Sequence, residues 1–262
     1  MKKVLPLIIA FTALLYSEAS FSQSRFSHEV GATFGAASYQ TDFGTTNDFS
    51  SENASTMTFG FTYYLKFYGS QYSWRSGSSY FSSHFKLKTE FNYMNNKTVR
   101  HKGFLEHLPN LQRMTGEIKM YNIGTNLEFY FFNMEDYASY NRSDTKLNPF
   151  INVGIHYSFY DPDIFVDGNS LEGQEEPYTD LIPKWQEGAI YLEKDATFAA
   201  SVGAGLRYSI SDVDLVLEGR FQHFFSDKVD GLDDTSVDTA SHHNDTMVIV
   251  NVGIVYVFGQ NY

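Results

Sequence analysis

The 262-residue sequence contains no cysteine. Disulfides, thiolate metal sites and an N-terminal lipid anchor on Cys are thereby excluded. Positive charge is in short supply: 19 Lys and Arg stand against 31 Asp and Glu, a formal net charge of −12. Phosphate binding needs a basic footprint, so nucleic acid is excluded as a partner. Leucine is scarce, and no apolar run reaches the roughly 18 residues that a membrane-spanning helix requires. Mean hydropathy is −0.31, which fits polar residues interleaved with apolar ones and long polar loops. Helical periodicity is missing after residue 22.

Residues 1–22 read as a secretory signal. Lys2 and Lys3 supply the charge, Val4 to Leu15 an apolar run too short to cross a bilayer, and Ser20 and Ser22 the small residues for cleavage before Gln23. Residues 23–262 then form one domain. The surplus of the full sequence is aromatic, with 24 Phe and 19 Tyr, and beyond the signal these residues fall at period two. Phe85, Leu87, Phe91 and Tyr93 alternate with Lys86, Lys88, Glu90 and Asn92. Met57 to Phe67 and Ile151 to Phe159 repeat the pattern, with Gly, Asn, Thr or His on the minority face. Eight such stretches predict a closed antiparallel up-and-down β-barrel of about eight strands, and a hairpin within 161–195 would raise the count to ten. A soluble lipocalin-like barrel would turn its apolar face inward. The Gly-polar minority face and the aromatics at strand ends favour the transmembrane form, whose apolar face meets lipid.

From a periplasmic N-terminus, the connections 40–55, 95–117, 161–195 and 226–246 fall outside the cell, and 69–83, 133–147 and 211–213 fall in the periplasm. Outer-membrane barrels have long external loops and short periplasmic turns. Two of these turns are longer than that rule expects, so misplaced strand ends or a short turn of helix are anticipated there. The presumed lumen carries Glu29, Lys66, Lys86, Lys88, Glu90, Glu128, Arg207, Glu218 and Arg220. An eight-stranded barrel is about filled by its own side chains, so paired charges there predict a plug rather than a conduction path. Arg207 and Glu218 lie diagonally across the 211–213 turn and are expected to meet.

The last strand, Met247 to Phe258, puts Val248, Val250, Val252, Ile254, Tyr256 and Phe258 on the lipid side. Asn251, Gly253, Tyr256 and Phe258 follow a polar-x-Gly-x-x-aromatic-x-aromatic pattern. That pattern resembles the C-terminal signal by which bacterial outer-membrane barrels are recognised by their assembly machinery.

Other candidate chemistry is sparse. Asp227, Asp230, Asp233 and Asp234 cluster carboxylates around Gly231, and hard cations such as Ca²⁺ favour such oxygens. Their spacing is not that of an EF-hand loop, and a solvated acidic loop is the simpler reading. His242-His243 has the side chains for a transition metal but sits in a polar loop. His156 and Ser158 both point inward. His223 points outward among Phe221 and Phe225, with no serine or carboxylate evidently beside it, so no catalytic residue is assigned.

The stretches HEVGATFGAASYQTDFG (28–44), HFKLKTEFNYM (84–94), PFINVGIHYSFYDP (149–162) and GLRYSISDVDLVLEGRFQHFFSDKVDGLDD (205–234) resemble a family of small outer-membrane barrels from Bacteroidota. Their layout is similar to that of PorG, the barrel of the type IX secretion system. Glu29 and Gly31 match its opening E-x-G segment, and Ser226, Asp227, Asp230 and Gly231 its acidic end-of-strand loop. The resemblance implies a structural or accessory role at the outer membrane in protein secretion. Its partners would be membrane lipid, the barrel-assembly machinery and periplasmic or secretion-system proteins, with no cofactor. A small-solute channel and an outer-face lipid-modifying enzyme are the alternatives.

Overall fold

The computed structural model describes residues 26–40, 56–67, 80–100, 112–134, 146–172, 190–210, 212–232 and 244–258. The signal segment and His242-His243 lie outside them. The strands are β1 (Phe26–Gln40), β2 (Thr56–Phe67), β3 (Phe85–Arg100), β4 (Met114–Tyr130), β5 (Leu147–Val166), β6 (Asn169–Ser170), β7 (Asp195–Ile210), β8 (Val213–Phe224) and β9 (Thr246–Val257). One helix is described, α1 (Tyr80–His84). Each long strand pairs antiparallel with its neighbours in sequence, β1 pairs with β9, and β4–β5 pairing completes the ring. Closure matters in lipid, where an open edge would leave backbone N–H and C=O groups unsatisfied.

Alternation turns the apolar side chains outward. Phe61 is 71% exposed and Ile155 66%, whereas Lys88 and Glu128 on the other face are fully buried. This is the reverse of a soluble barrel. On β4 the outer face runs from Tyr121 through Ile123, Leu127 and Phe129 to Phe131 just beyond the strand end. At about 3.3 Å per residue and a tilt near 45°, that run spans about 23 Å, the height of an outer-membrane apolar band. Immediately above Tyr121 the outer face becomes charged: Lys119 lies opposite Asp161 across the β4–β5 pair.

The strands extend further than alternation alone indicated. The expected loops 95–117 and 161–195 are in part strand, since β3 reaches Arg100, β4 starts at Met114 and β5 ends at Val166. Here the inward face stays apolar while the outward face becomes polar. Val99, Met114, Ile118 and Ile164 form a core above the membrane with Leu171 and Leu232. The hairpin anticipated within 161–195 is small. Asp167 and Gly168, both at positive φ, turn β5 into the two-residue β6. Two such residues suit a type I′ turn, which Asp-Gly favours. The count of long strands stays at eight. In the long 69–83 connection lies α1, the anticipated short turn of helix.

The glycines of the inward face make room for larger neighbours. Gly124 lies opposite His156, Gly154 opposite Asn126, and Gly60 opposite Asn92. A Cβ on Gly124 would stand 1.9 Å from His156 Nδ1, and one on Gly154 2.0 Å from Asn126 Oδ1. Outward-facing Gly219 has nothing within 4 Å of that position. Gly124→Ala is therefore expected to destabilise the barrel by about 1–3 kcal/mol through overpacking. Gly219→Ala should be neutral or slightly stabilising, since glycine weakens a strand interior. Urea unfolding of the two variants in lipid vesicles tests the contrast, and equal effects would contradict it.

Candidate functional site

The most distinctive site is the lumen, where strands at period two aim charge at a common axis. Every residue of the expected charge network is buried there: Glu29, Lys66, Lys86, Lys88, Glu90, Glu128, Arg207, Glu218 and Arg220. Asp214 joins them, so five acids face five bases. Sequence reading missed Asp214 because it sits one residue into β8, next to the turn. Its parity with Glu218 and Arg220 was the available signal.

Two groupings arise. Toward the periplasm, Arg207 Nε donates to Asp214 Oδ2 at 2.6 Å, while its other nitrogens reach Glu29 and the Tyr130 hydroxyl. Lys86 donates to the second oxygen of Glu29 at 2.6 Å. The guanidinium also lies over the Tyr64 ring, 5.1 Å from its centroid. Deeper in, Lys88 Nζ donates to Glu218 Oε2 at 2.6 Å and lies 3.4 Å from Glu90 and 3.5 Å from Glu128. Arg220 pairs with Glu90, and Asn152 donates to Glu218 Oε1 at 2.8 Å. The expected Arg207–Glu218 pair does not form. The register puts Arg207 opposite Val216, with Asp214 and Glu218 on its two diagonals. Asp214 takes the guanidinium, and Glu218 turns across the lumen to Lys88.

Neutral and apolar layers bound the charges. Asn122, Gln222 and Ser158 hydrogen-bond to one another, with Asn122 Nδ2 donating to Gln222 Oε1 at 3.0 Å. At the external end Tyr39, Met94, Met120, Tyr160, Phe224 and Met247 pack together, and Val229 from the loop after β8 seals them. At the periplasmic end Tyr64, Tyr130, Phe150, Val216 and Val255 do the same with Met134. Apolar, charged, neutral polar and again apolar layers thus follow one another along the lumen.

His156 shows why a constellation is not yet a catalyst. Its partner is not Ser158 but Ser201 of β7, with Nε2 2.8 Å from Ser201 Oγ. Glu90 Oε1 lies 3.6 Å from Nδ1, which completes a serine–histidine–carboxylate set. The Ser201 hydroxyl, however, donates to Asn126 Oδ1 at 3.1 Å. His156 Nε2 is then the donor to Ser201, the reverse of the polarity that activates a nucleophile. His156 is 1% exposed and Ser201 7%, so a substrate has no approach. His223 lies on the outer wall, 5.9 Å from the Phe225 ring, as an interfacial side chain.

Of the proposed assembly signal, Tyr256 and Phe258 face lipid and stack edge to face at 5.1 Å. Asn251 faces inward and accepts a 2.8 Å hydrogen bond from Thr58 Oγ1, while Gly253 lies against Thr33 of β1. These residues tie β9 to β1 and, through Thr58, to β2.

The external segment 226–232 folds over the barrel mouth. Val229 N–H donates to Asp245 Oδ2 at 3.0 Å, Leu232 N–H to Asp230 Oδ1 at 2.9 Å, and Tyr191 N–H to the Gly231 carbonyl at 2.8 Å. Gly231, at φ 87°, makes the sharp turn. Asp230 thus shapes the turn, and Asp227 stands one step before Lys228. Asp233 and Asp234 lie outside the described residues. Among the described residues, no group of three or more His, Asp or Glu is placed to hold a metal ion. Nearby, a fork from Arg113 Nε at 2.8 and 2.9 Å holds the Asp167 carboxyl below the usual aspartate range. Lys194, donating to Asp161 at 2.7 Å, is held above the usual lysine value. Both pairs are exposed and screened by salt.

No protein-family model and no curated protein matches the chain. Among solved structures it is similar to Neisserial surface protein A, with 12% identity, TM-score 0.44, and 89% of this chain and 97% of that one covered. It is also similar to the outer membrane protein OprG of Pseudomonas aeruginosa, with 11% identity, TM-score 0.41 and coverage of 90% and 97%. A third similar structure is a major outer membrane protein of Thermus thermophilus, with 7% identity, TM-score 0.43 and coverage of 88% and 99%. With its own ring closure, outward apolar band and inward charges, the chain is an eight-stranded β-barrel of the outer membrane.

Proposed function

We propose that this protein is a non-conducting outer-membrane barrel with a structural or accessory role, in its finer form a role in protein secretion, and without catalysis of its own. The observation that carries the reading is the filled lumen. Most of its buried acids and bases are paired, although Arg220 Nε and Nη2 and Glu128 Oε1 lack a hydrogen-bond partner among the described residues, and apolar clusters lie at both ends. A solute would have to displace several charge-assisted hydrogen bonds, each stronger than a neutral one. Function then resides on the two faces and the wall rather than along the axis. The secretion reading draws on the resemblance in layout. Glu29 itself is occupied by Lys86 and Arg207, so it braces the barrel rather than meeting a partner.

Purified barrel in a planar bilayer in concentrated KCl tests the sealed lumen. The expected trace stays at the bilayer baseline, and reproducible stepwise conductance would establish the channel instead. The secretion role is tested in a deletion strain. Exported cargo should vanish from the medium and return when the gene is restored, with other outer-membrane barrels unchanged. Unaltered export would remove that role.

A further inference from the structure

α1 does not project into the periplasm. It lies against the outer wall of the barrel. Phe81 packs at 5.1 Å from Phe67 and stacks at 4.7 Å on Phe85. Both partners carry the outward parity of the lipid-facing rows of β2 and β3. His84 continues the row onto Phe129 at 6.0 Å, and Phe129 onto Phe131 at 5.4 Å. Five aromatic side chains and a histidine thus form one arc of the periplasmic rim across β2, β3 and β4, continuous with the apolar belt above it.

The outer surface of α1 is aromatic too. Tyr80 is 64% and Phe81 45% exposed, and Tyr80 stacks on His84 at 4.2 Å. In water this would be an unpartnered apolar patch on a helix too short to persist by itself. Its polar groups are already served locally. Ser83 Oγ donates to the Tyr80 carbonyl at 3.1 Å, and Ser82 and Ser83 are buried. The helix has no carboxylate to desolvate. Tyr and Phe at the end of an apolar wall are the side chains that settle at a membrane–water interface.

We propose that α1 is an interfacial anchor, seated in the periplasmic leaflet of the outer membrane, with phospholipid at the glycerol–acyl boundary as the occupant of the Tyr80–Phe81 face. It holds the barrel at a defined depth in the outer membrane. This placement is independent of any role in secretion.

The absence of cysteine makes the test direct. Single variants Tyr80→Cys and Phe81→Cys carry a nitroxide label in phosphatidylcholine–phosphatidylglycerol vesicles. Phe61→Cys marks the mid-wall and Asn244→Cys the aqueous external side. Collision with oxygen, which partitions into lipid, is compared with collision with a water-soluble nickel chelate. A folded-state gel shift first confirms that each variant forms the barrel. Positions 80 and 81 are expected to favour oxygen and to lie roughly 5–10 Å below the headgroup boundary, as for a helix in the interface plane. Nickel accessibility equal to that of position 244 would overturn the proposal and place α1 in water. Exclusion of both reagents would also overturn it and assign the face to a protein partner or a second copy. Tyr80→Cys removes the more exposed ring, so the test stands even if Phe81→Cys loosens the helix.

Discussion

Lys88→Met is expected to destabilise the folded barrel by about 3–5 kcal/mol, the range for removing one partner of a buried ion pair. Lys88 is fully buried, with Glu218 at 2.6 Å and Glu90 and Glu128 within 3.5 Å. Methionine keeps most of the volume and removes the charge, so the loss reports electrostatics rather than a cavity. Glu90 retains Arg220, and Glu128 retains the Tyr130 hydroxyl at 2.6 Å. Glu218 retains only the Asn152 amide among the hydrogen bonds described above. The double variant Lys88→Met/Glu218→Gln should therefore recover a substantial part of the loss, and a double-mutant cycle isolates the pair. Urea unfolding in vesicles, followed by the folded-state gel shift, gives both numbers. A loss below about 1 kcal/mol, the range of solvated surface pairs, would mean that water reaches the lumen. That outcome would also weaken the sealed-barrel reading.

Phe258→Ala is expected to remove most of the folded protein from the outer membrane of growing cells while leaving refolding of the purified chain nearly intact. The ring is 48% exposed on the lipid face and packs only edge to face on Tyr256 in the described contacts. Its backbone N–H bonds the His28 carbonyl at 3.1 Å, which alanine preserves. Truncation therefore forfeits little of the folded state's own packing. A strong effect in cells would then arise before folding is complete, as expected if the last strand is read by an assembly machinery. Membrane fractionation with heat-modifiability measures the first arm, and vesicle refolding the second. Normal membrane levels in cells would show that the Asn251–Phe258 pattern is only a well-formed strand. Loss in both arms would make Phe258 a stability residue instead.

The wall of the barrel was legible because its cause is local. Period-two alternation is a property of a strand alone, and outward Phe61, Ile155 and Val252 needed no knowledge of their neighbours. Inward parity likewise located all nine residues of the charge network. Local pattern failed where the solvent changes along one strand. Above Tyr121 the outer face becomes polar while Ile118 and Ile164 stay buried, so these stretches looked like loop although their backbone remains paired. The Asp167-Gly168 turn was a readable signal that went unread.

Pairing within the lumen could not be derived in this way. Parity says that Arg207, Glu218 and Asp214 share an interior, but not which diagonal the guanidinium takes. That choice depends on Glu29, 178 residues away, which reaches Arg207 only because the ring closes between β1 and β9. Ser201 meets His156 for the same reason, because adjacent strands bring it nearer than Ser158, two residues along the same strand. The placement of α1 on the outer wall depends on three strands at once. By itself the sequence determined which face of each strand meets lipid and what charges lie inside, since both follow from single-strand geometry and solvent preference. Only the tertiary structure decided which charges pair, that apolar clusters bound them at both ends and where the helix rests, because barrel closure and strand stagger set those distances.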